Sequence, residues 1–179
     1  MLIILGQQEL TDGDKMMENY ADLIWRDYAS VDENIIERVS RENMEKHINF
    51  LGMNWKDFLE KDFIPLLRIA NSIIKILETN QGRFIGYYWL LNKIWTETKF
   101  KSKDAVFLTS LIVDTPYQKK GYGSIMLEEV KRHARLLGGT LLLGCIQKSN
   151  KVSYHFFVDK NDFNVISEDD KNWMIQLNI

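Results

Sequence analysis

The segment 113–124 combines a glutamine, two lysines and two glycines at spacings that could do chemistry. It follows an apolar run typical of a strand and precedes an amphipathic stripe typical of a helix. The N-terminus of such a helix directs backbone N–H groups and the positive end of the helix dipole at one point. Gly121 and Gly123 permit close approach of a ligand to the backbone, and Lys119 and Lys120 add positive charge. The segment therefore predicts an anion site.

The spacing of the two glycines restricts which anion can bind. A P-loop has four residues between its glycines, followed by Lys and then Ser or Thr, whereas one residue separates Gly121 from Gly123. A dinucleotide fingerprint requires a third glycine three positions after Gly123, where this sequence has Met126. Both kinds of nucleotide site are therefore disfavoured, and the pattern that remains is Gln118-x-x-Gly-x-Gly.

Regular elements on both sides of this segment must hold it in place. Apolar residues predict a strand over 105–113 and a buried strand over 140–146. Between them, an apolar stripe predicts a helix over 124–137 that is ended by two glycines. A short helix over 150–158 and two strands over 163–167 and 173–178 complete the C-terminal half.

The N-terminal half is predicted to be helical first and then extended. We expect an edge strand over 1–5 and a helix over 16–28, where apolar residues recur every three or four positions. A second helix is predicted over 32–51, and a third from Asn54 that Pro65 bends or ends. Residues 72–78 and 83–91 predict a hairpin, and Lys99, Lys101 and Lys103 lie in a polar connection to the next strand.

Composition indicates one ordinary globular domain over 1–179. The chain has 23 Lys and Arg against 25 Asp and Glu, a formal net charge of -2, which argues against a nucleic-acid partner or a membrane-surface binder. Cys145 is the single cysteine, and the three histidines are scattered, so neither a disulfide nor a metal site is expected. No apolar run has the length of a membrane span, and a cytoplasmic location is the default expectation.

At the Gln118-x-x-Gly121-x-Gly123 pattern the chain resembles the GNAT superfamily of N-acetyltransferases. In that family the pattern follows a strand, opens a helix and cradles the diphosphate of acetyl-CoA. The order of the elements is also similar, and the resemblance implies an α/β (α+β) fold. Its central sheet would be mixed and mostly antiparallel, with flanking helices and a helical N-terminal third.

The resemblance also implies a set of residues that bind acetyl-CoA, the co-substrate. The end of the preceding strand would hold the pantetheine arm through its backbone, and an asparagine after the next strand would hold it through its side chain. The implied set is Leu111, Ile112, Val113, Gln118, Lys119, Lys120, Gly121, Tyr122, Gly123, Ser124, Asn150 and Phe157. A second cationic group, Lys131, Arg132 and Arg135, either approaches the adenosine 3'-phosphate or forms a solvated helix face.

The catalytic residues that the resemblance implies are less well matched. Family members commonly carry a tyrosine seven positions after the asparagine, where this sequence has Phe157. Tyr154 shares a helix face with Asn150 and is the substitute candidate for the general acid; the alternative is a half-buried helix tyrosine. Glu78 and Asp104 are candidates for the general base, and the alternative for each is a solvated charge at a strand end.

The function implied is transfer of an acetyl group from acetyl-CoA to a primary amine by direct attack, catalysed by an acyl-CoA-dependent N-acetyltransferase. The acceptor is a small-molecule or peptide amine, and Tyr87, Tyr88, Trp89 and Trp95 are candidates to line its pocket. Two alternatives remain open: a non-catalytic acyl-CoA sensor or interaction module of the same fold, and a phosphate-binding α/β domain unrelated to CoA. The sequence also leaves a homodimer open.

Overall fold

The computed structural model describes residues 22–179, and in this part of the chain seven strands form one sheet. The strands are β1 (Leu23–Asp27), β2 (Ser72–Thr79), β3 (Phe84–Leu91), β4 (Ala105–Val113), β5 (Leu141–Gln147), β6 (Asn164–Glu168) and β7 (Asn172–Asn178). Their order across the sheet is β1-β2-β3-β4-β5-β7-β6. Only β4 and β5 are parallel, and the other neighbours are antiparallel. The predicted mixed, mostly antiparallel sheet with flanking helices is confirmed.

The two parallel strands separate partway along their length. Their pairing runs from Ala105 opposite Leu141 to Leu108 opposite Gly144 and then ends, although both strands continue. On its other edge β4 carries a bulge, because Trp89 of β3 faces Ser110 whereas the next residue faces Leu108, which leaves Thr109 as the extra residue. A bulge bends its strand and increases the local twist. A V-shaped cleft therefore opens between β4 and β5 beyond Leu108 and Gly144.

Helices cover both faces of the sheet. On one face lie α1 (Glu33–Phe50), α2 (Trp55–Phe58), α3 (Ile64–Leu67) and α4 (Lys93–Phe100), and a π-helical turn (Leu59–Phe63) joins α2 to α3. On the other face lie α5 (Tyr122–Leu136), α6 (Lys151–Tyr154) and a second π-helical turn (His155–Asp159). None of these helices, all within residues 22–179, is long and apolar enough to cross a bilayer.

Helices α1 and α5, which cover the two faces of the sheet beside the cleft, are both amphipathic. On α1 the buried positions include Ile36, Val39 and Ile48, which pack on the face of the sheet that carries Trp89. On α5 the buried positions include Met126 and Val130, on the opposite face. Burial of one such side chain contributes roughly 1.5–3 kcal/mol, so both helices are held by their apolar stripes. The cleft is therefore enclosed by two firmly packed layers.

Most predicted elements are confirmed, including the strand over 105–113, the hairpin of β2 and β3, and α1. The helix predicted over 16–28 is wrong where it can be compared, because Leu23–Asp27 is strand β1. Leu23 and Trp25 pack against the core while Ile24 is exposed, and this alternation together with pairing to β2 favours a strand. The strand predicted over 1–5 and the rest of that helix lie outside the described residues.

Two further expectations in the N-terminal half need correction. The polar connection after β3 contains a helix, α4, because Asn92 caps its N-terminus by accepting a hydrogen bond from the Trp95 N–H. Of the two effects predicted for Pro65, only an end of the helix is wrong: the helical path from Asn54 continues to Leu67, since Pro65 lies in the first turn of α3, where a missing N–H is tolerated. Both segments border the cavity described below.

Candidate active site

The cleft exposes one edge of β4 beyond its last pair with β5. The Val113 carbonyl on this edge accepts a hydrogen bond from the Gln118 side-chain Nε2 (2.9 Å). Residues two apart on a strand direct their backbone groups to the same edge, so the N–H and C=O of Leu111 also face the cleft. Ile112 lies between them, and its side chain is buried in the core beneath α1. Of the three predicted positions, Leu111 and Val113 present backbone groups to the cleft, whereas Ile112 directs its own toward β3.

The loop after β4 turns sharply to begin α5. Lys119 and Gly121 both adopt left-handed backbone conformations (φ 63° and 85°), and α5 starts at the next residue, Tyr122. The Gly121 carbonyl accepts hydrogen bonds from the N–H groups of Ser124 (3.0 Å) and Ile125 (3.3 Å). Such a turn gathers N–H groups at the positive end of the helix dipole. The predicted anion loop is therefore formed as a helix N-terminus.

The side chains of this loop divide into an exposed and a buried set. Lys119, Lys120 and Ser124 are exposed, and the Lys120 ammonium lies 5.8 Å from the centroid of the Tyr117 ring. Tyr122 and Gly123 are buried in the first turn of α5. Positive charge is therefore on the solvent side of the helix N-terminus, and small or packed residues form its base.

Helix α1 contacts the chain on both sides of the cleft. Arg38 pairs with Asp114 (Nη2 to Oδ2, 2.9 Å), and the Asn43 Oδ1 accepts a hydrogen bond from Gln118 Nε2 (3.1 Å). One to two turns further on, His47 Nδ1 is hydrogen-bonded to Ser149 Oγ (2.9 Å), which follows β5. A single helix thus bridges the two diverging strands, which fixes the width of the cleft. Burial, and to a smaller extent the nearby Lys46, lowers the pKa of His47 to about 4, so its ring is neutral near pH 7.

Two amide side chains at the end of β5 have unpaired polar atoms. Asn150 caps α6, since its Oδ1 accepts a hydrogen bond from the Ser153 N–H (3.0 Å), and its buried Nδ2 has no hydrogen-bond partner among residues 22–179. Gln147 is fully buried, and neither its Oε1 nor its Nε2 has a partner in the described chain. A buried amide without a partner costs roughly 1–3 kcal/mol, so both residues are expected to meet a ligand or water.

A cavity of about 770 Å³ lies on the α1 side of the cleft. Its buried lining is mostly apolar, with Met44, Ile48, Phe63 and Trp89 as members. Its polar floor at the cleft is formed by Thr109, Ser110 and Gln147, which lie on β4 and β5 beyond their last pair, and Asn172 of β7 is a further polar lining residue. The cavity therefore reaches the cleft from the face opposite α5.

The Acetyltransferase (GNAT) family profile matches residues 36–163, which include the cleft, the loop and Asn150. The chain belongs to the GNAT acetyltransferase family. Members of this family use acetyl-CoA as co-substrate.

Solved GNAT structures have the same fold. PaiA N-acetyltransferase from Thermoplasma acidophilum, crystallised with coenzyme A, has a TM-score of 0.67 and 15% identity over 88% of this chain and 99% of that chain. Spermidine N-acetyltransferase from Vibrio cholerae, in complex with CoA and spermine, has a TM-score of 0.64 and 12% identity over 88% and 96%. No curated protein matches the chain significantly in sequence. At these identities the neighbours show the fold alone.

Of the catalytic residues predicted from the GNAT resemblance, the structure brings neither to the cavity wall. Tyr154 ends helix α6, which begins directly after Asn150, and its ring packs on that of Trp173 with the two centroids 4.5 Å apart. Glu78 lies on β2, which β3 separates from β4, and its carboxylate accepts a hydrogen bond from Arg26 Nε (2.8 Å). Phe157 is fully buried and packs on Phe163. The roles of Tyr154, Glu78 and Phe157 stay predictions.

Only some of the aromatic residues predicted to line the acceptor pocket lie at the cavity, and the cations predicted near the 3'-phosphate lie on α5. Trp89 and Trp95 line the cavity. Tyr87 is buried in the core beneath α1, and Tyr88 is on the opposite face, where its hydroxyl is hydrogen-bonded to His133 Nδ1 (2.7 Å). On α5, the exposed Arg132 pairs with Glu129, and the partly buried Lys131 pairs with the exposed Glu128. These ion pairs favour the solvated-face interpretation for both cations.

Sequence reasoning missed two features of the site. Gln147 has one signal in the sequence, its place directly after the predicted buried strand over 140–146, where an apolar run ends on an amide. The polar row of α1, Arg38, Asn43 and His47, has none, since its residues are common on any solvated helix face. Only their partners in the cleft distinguish them.

Proposed function

We propose that this GNAT domain, spanning 1–179, transfers an acetyl group from acetyl-CoA to a primary amine by direct attack. The observation that carries this proposal is the continuity of the site: the anion loop and the edge of β4 border the cleft on one face, and the cavity meets the same cleft on the other. Two ligands entering from opposite faces would meet beside Ser110 and Gln147. A cytoplasmic location is part of the proposal and rests on the single Cys145.

The residues present fit acetyl-CoA. The backbone N–H groups at the start of α5, with Lys119 and Lys120 beside them, suit its diphosphate. The Leu111 C=O and the Val113 N–H suit the amides of its pantetheine arm, and the unpaired Asn150 Nδ2 is a donor for a pantetheine carbonyl. Bound acetyl-CoA supplies a thioester, an activated acyl group with a thiolate leaving group.

The chemistry required of the protein is positioning and proton transfer. The amine nitrogen forms a bond to the acetyl carbonyl carbon, the carbon–sulfur bond breaks, the amine loses one proton and the departing sulfur gains one. Holding the two reactants in line supplies much of the acceleration, and a Leu111 N–H directed at the carbonyl oxygen would stabilise its developing negative charge. Tyr154 is proposed as the group that protonates the sulfur, and Glu78 or water as the acceptor of the amine proton.

Calorimetry with CoA and an assay of thiol release from acetyl-CoA test the proposal in two steps. We expect CoA to bind, and thiol release to rise above hydrolytic background when primary amines are added. No measurable binding at millimolar CoA would reject the proposal and favour a phosphate-binding domain unrelated to CoA. CoA binding without amine-dependent thiol release would favour the alternative function, a non-catalytic acyl-CoA sensor, for which Phe157 at the expected acid position is the supporting observation.

A further inference from the structure

The fully buried Gln147 side chain forms part of the floor of the 770 Å³ cavity. Neither its Oε1 nor its Nε2 has a hydrogen-bond partner in residues 22–179. The amide of Gln147 is uncharged, and it lies on β5 three residues after Gly144, the last residue paired with β4. A buried amide in this position is a hydrogen-bonding site for whatever occupies the cavity at the cleft.

Ser110 contributes a second polar group to the same floor, beside two buried hydroxyl groups that are hydrogen-bonded to each other. The Ser40 Oγ donates to the Ile36 carbonyl (2.5 Å), which can only accept, and so uses its one hydrogen. Tyr87 must then donate to Ser40, with an O–O distance of 2.7 Å. The hydroxyl of Ser110 is close enough to that of Tyr87 to affect the pKa of Tyr87, so its oxygen belongs to the same polar cluster. The Ser110 Oγ carries lone pairs that can accept a hydrogen bond from a ligand in the cavity.

Among residues 22–179, the charged groups of the cavity lining lie at its mouth. Lys61, Asp62 and Lys99 are the charged residues among the described lining, and all three are exposed. Lys61 is already paired with Asp57 (2.8 Å). The buried lining residues that the structure describes are apolar or uncharged polar, so none of them offers a carboxylate to an ammonium group in the interior. Desolvation in such a site favours the neutral form of an amine.

Resting on the proposed function, we propose that the acceptor is a monoamine with an apolar, aromatic or branched aliphatic body, bound in its neutral form. Its nitrogen donates one N–H to Ser110 Oγ and the other to Gln147 Oε1, which leaves the lone pair directed away from both and available for attack. The body occupies the apolar region lined by Phe63 and Trp89. Polyamines are disfavoured, because a further ammonium in the buried part of the cavity would have no carboxylate partner among the described lining residues.

Binding to the CoA-saturated protein tests the acceptor class without any turnover. Calorimetric titration with 2-phenylethylamine should give saturable binding, and spermidine should bind at least tenfold more weakly. Because only the neutral amine binds, the affinity for 2-phenylethylamine should rise up to tenfold per unit from pH 7 to pH 9, below an amine pKa of about 10. Tighter binding of spermidine, or an affinity that is independent of pH, would overturn the inference.

Variants of the two floor residues separate ligand binding from a structural role. Gln147→Leu and Ser110→Ala should each weaken 2-phenylethylamine binding by about tenfold, which corresponds to about 1.4 kcal/mol, and leave CoA affinity unchanged. Gln147→Leu should not lower the melting temperature, because it removes an unpaired buried amide. Gln176→Leu, on the neighbouring strand β7 and outside the cavity lining, is the matched control and should bind the amine normally.

The outcomes distinguish this inference from the proposed function. Unchanged amine affinity in both variants would overturn the assignment of Gln147 and Ser110, even with CoA binding and transfer intact. If Gln147→Leu does not fold, Gln147 has a structural role, and the Ser110→Ala variant and the pH series decide the acceptor class. Loss of CoA binding or of transfer to every amine rejects the proposed function itself, whichever amine binds.

Discussion

Acid sensitivity of the fold should depend strongly on His47, which is 5% exposed and hydrogen-bonded to Ser149. In the unfolded chain the pKa of a histidine is about 6.5, whereas burial lowers the pKa of His47 to about 4 in the folded state. Below pH 6.5 the unfolded state therefore binds a proton that the folded state does not. The free energy of unfolding falls as the pH decreases from 6.5 toward 4, and the loss is complete below both values.

The magnitude follows from the interval between pH 6.5 and the chosen pH. At pH 5 the interval is about 1.5 units, and at 1.36 kcal/mol per unit His47 lowers the free energy of unfolding by about 2 kcal/mol. The result changes little if the folded pKa is somewhat higher or lower than 4, because pH 5 still lies above it. For a domain of this length, 2 kcal/mol corresponds to a decrease of about 4–8 °C in melting temperature.

Urea unfolding at pH 7, 6 and 5 of the wild type and of His47→Gln measures this contribution. Glutamine can retain a hydrogen bond to Ser149 but does not titrate, so the variant should lose about 2 kcal/mol less than the wild type between pH 7 and pH 5. Burial also lowers the pKa of His133, which contributes in the same direction, but this effect is present in both proteins and cancels. Equal losses in the two proteins would refute the burial of a neutral His47 between α1 and the end of β5.

Two other substitutions test the chemistry and the loop. Tyr154→Phe retains the ring that packs on Trp173, so the stability of the domain should change little. If Tyr154 protonates the sulfur, steady-state kinetics should show turnover at least tenfold lower with CoA affinity unchanged. Unaltered turnover would remove Tyr154 from the mechanism. Gly121→Ala places a side chain on a residue with a φ of 85° and should destabilise the domain by about 1–2 kcal/mol, as measured by thermal melts. It should also weaken CoA binding, as measured by calorimetry. Wild-type stability together with wild-type CoA affinity would contradict the left-handed turn.

Sequence patterns predicted the elements around the loop better than those of the N-terminal half. The strand over 105–113 was predicted with its observed bounds, because nine apolar or small residues buried on both faces form a continuous run. The apolar pattern of residues 23–27 is too short to distinguish a helix from a strand. These residues form a strand because they pair with β2. Helix α4 depends on the cap at Asn92 and on packing of Trp95 against Phe107, a contact with no local signal.

The candidate site divides in the same way. Gln118, Gly121 and Gly123 were recognisable because their function depends on backbone conformation and spacing along one short segment. Met44 and Phe63 were not, since they are ordinary apolar members of their own elements. Trp89 was named as a pocket candidate, but only the structure places it in one cavity lining with Gln147. Tyr154 and Phe157 were named from spacing on a helix, but that spacing does not predict which neighbours the side chains meet.

By itself, the sequence determined the loop that opens α5 and the alternation of strands and helices around it, because dihedral preferences and apolar periodicity act over a few neighbouring residues. Only the tertiary structure decided where β4 and β5 separate, which polar groups α1 brings to both sides of the cleft, and which amide remains unpaired in the cavity. These features depend on contacts such as Asn43 with Gln118, 75 positions apart, and His47 with Ser149, 102 positions apart. Such contacts form only when packing of the apolar faces has placed distant segments together, so no local pattern encodes them.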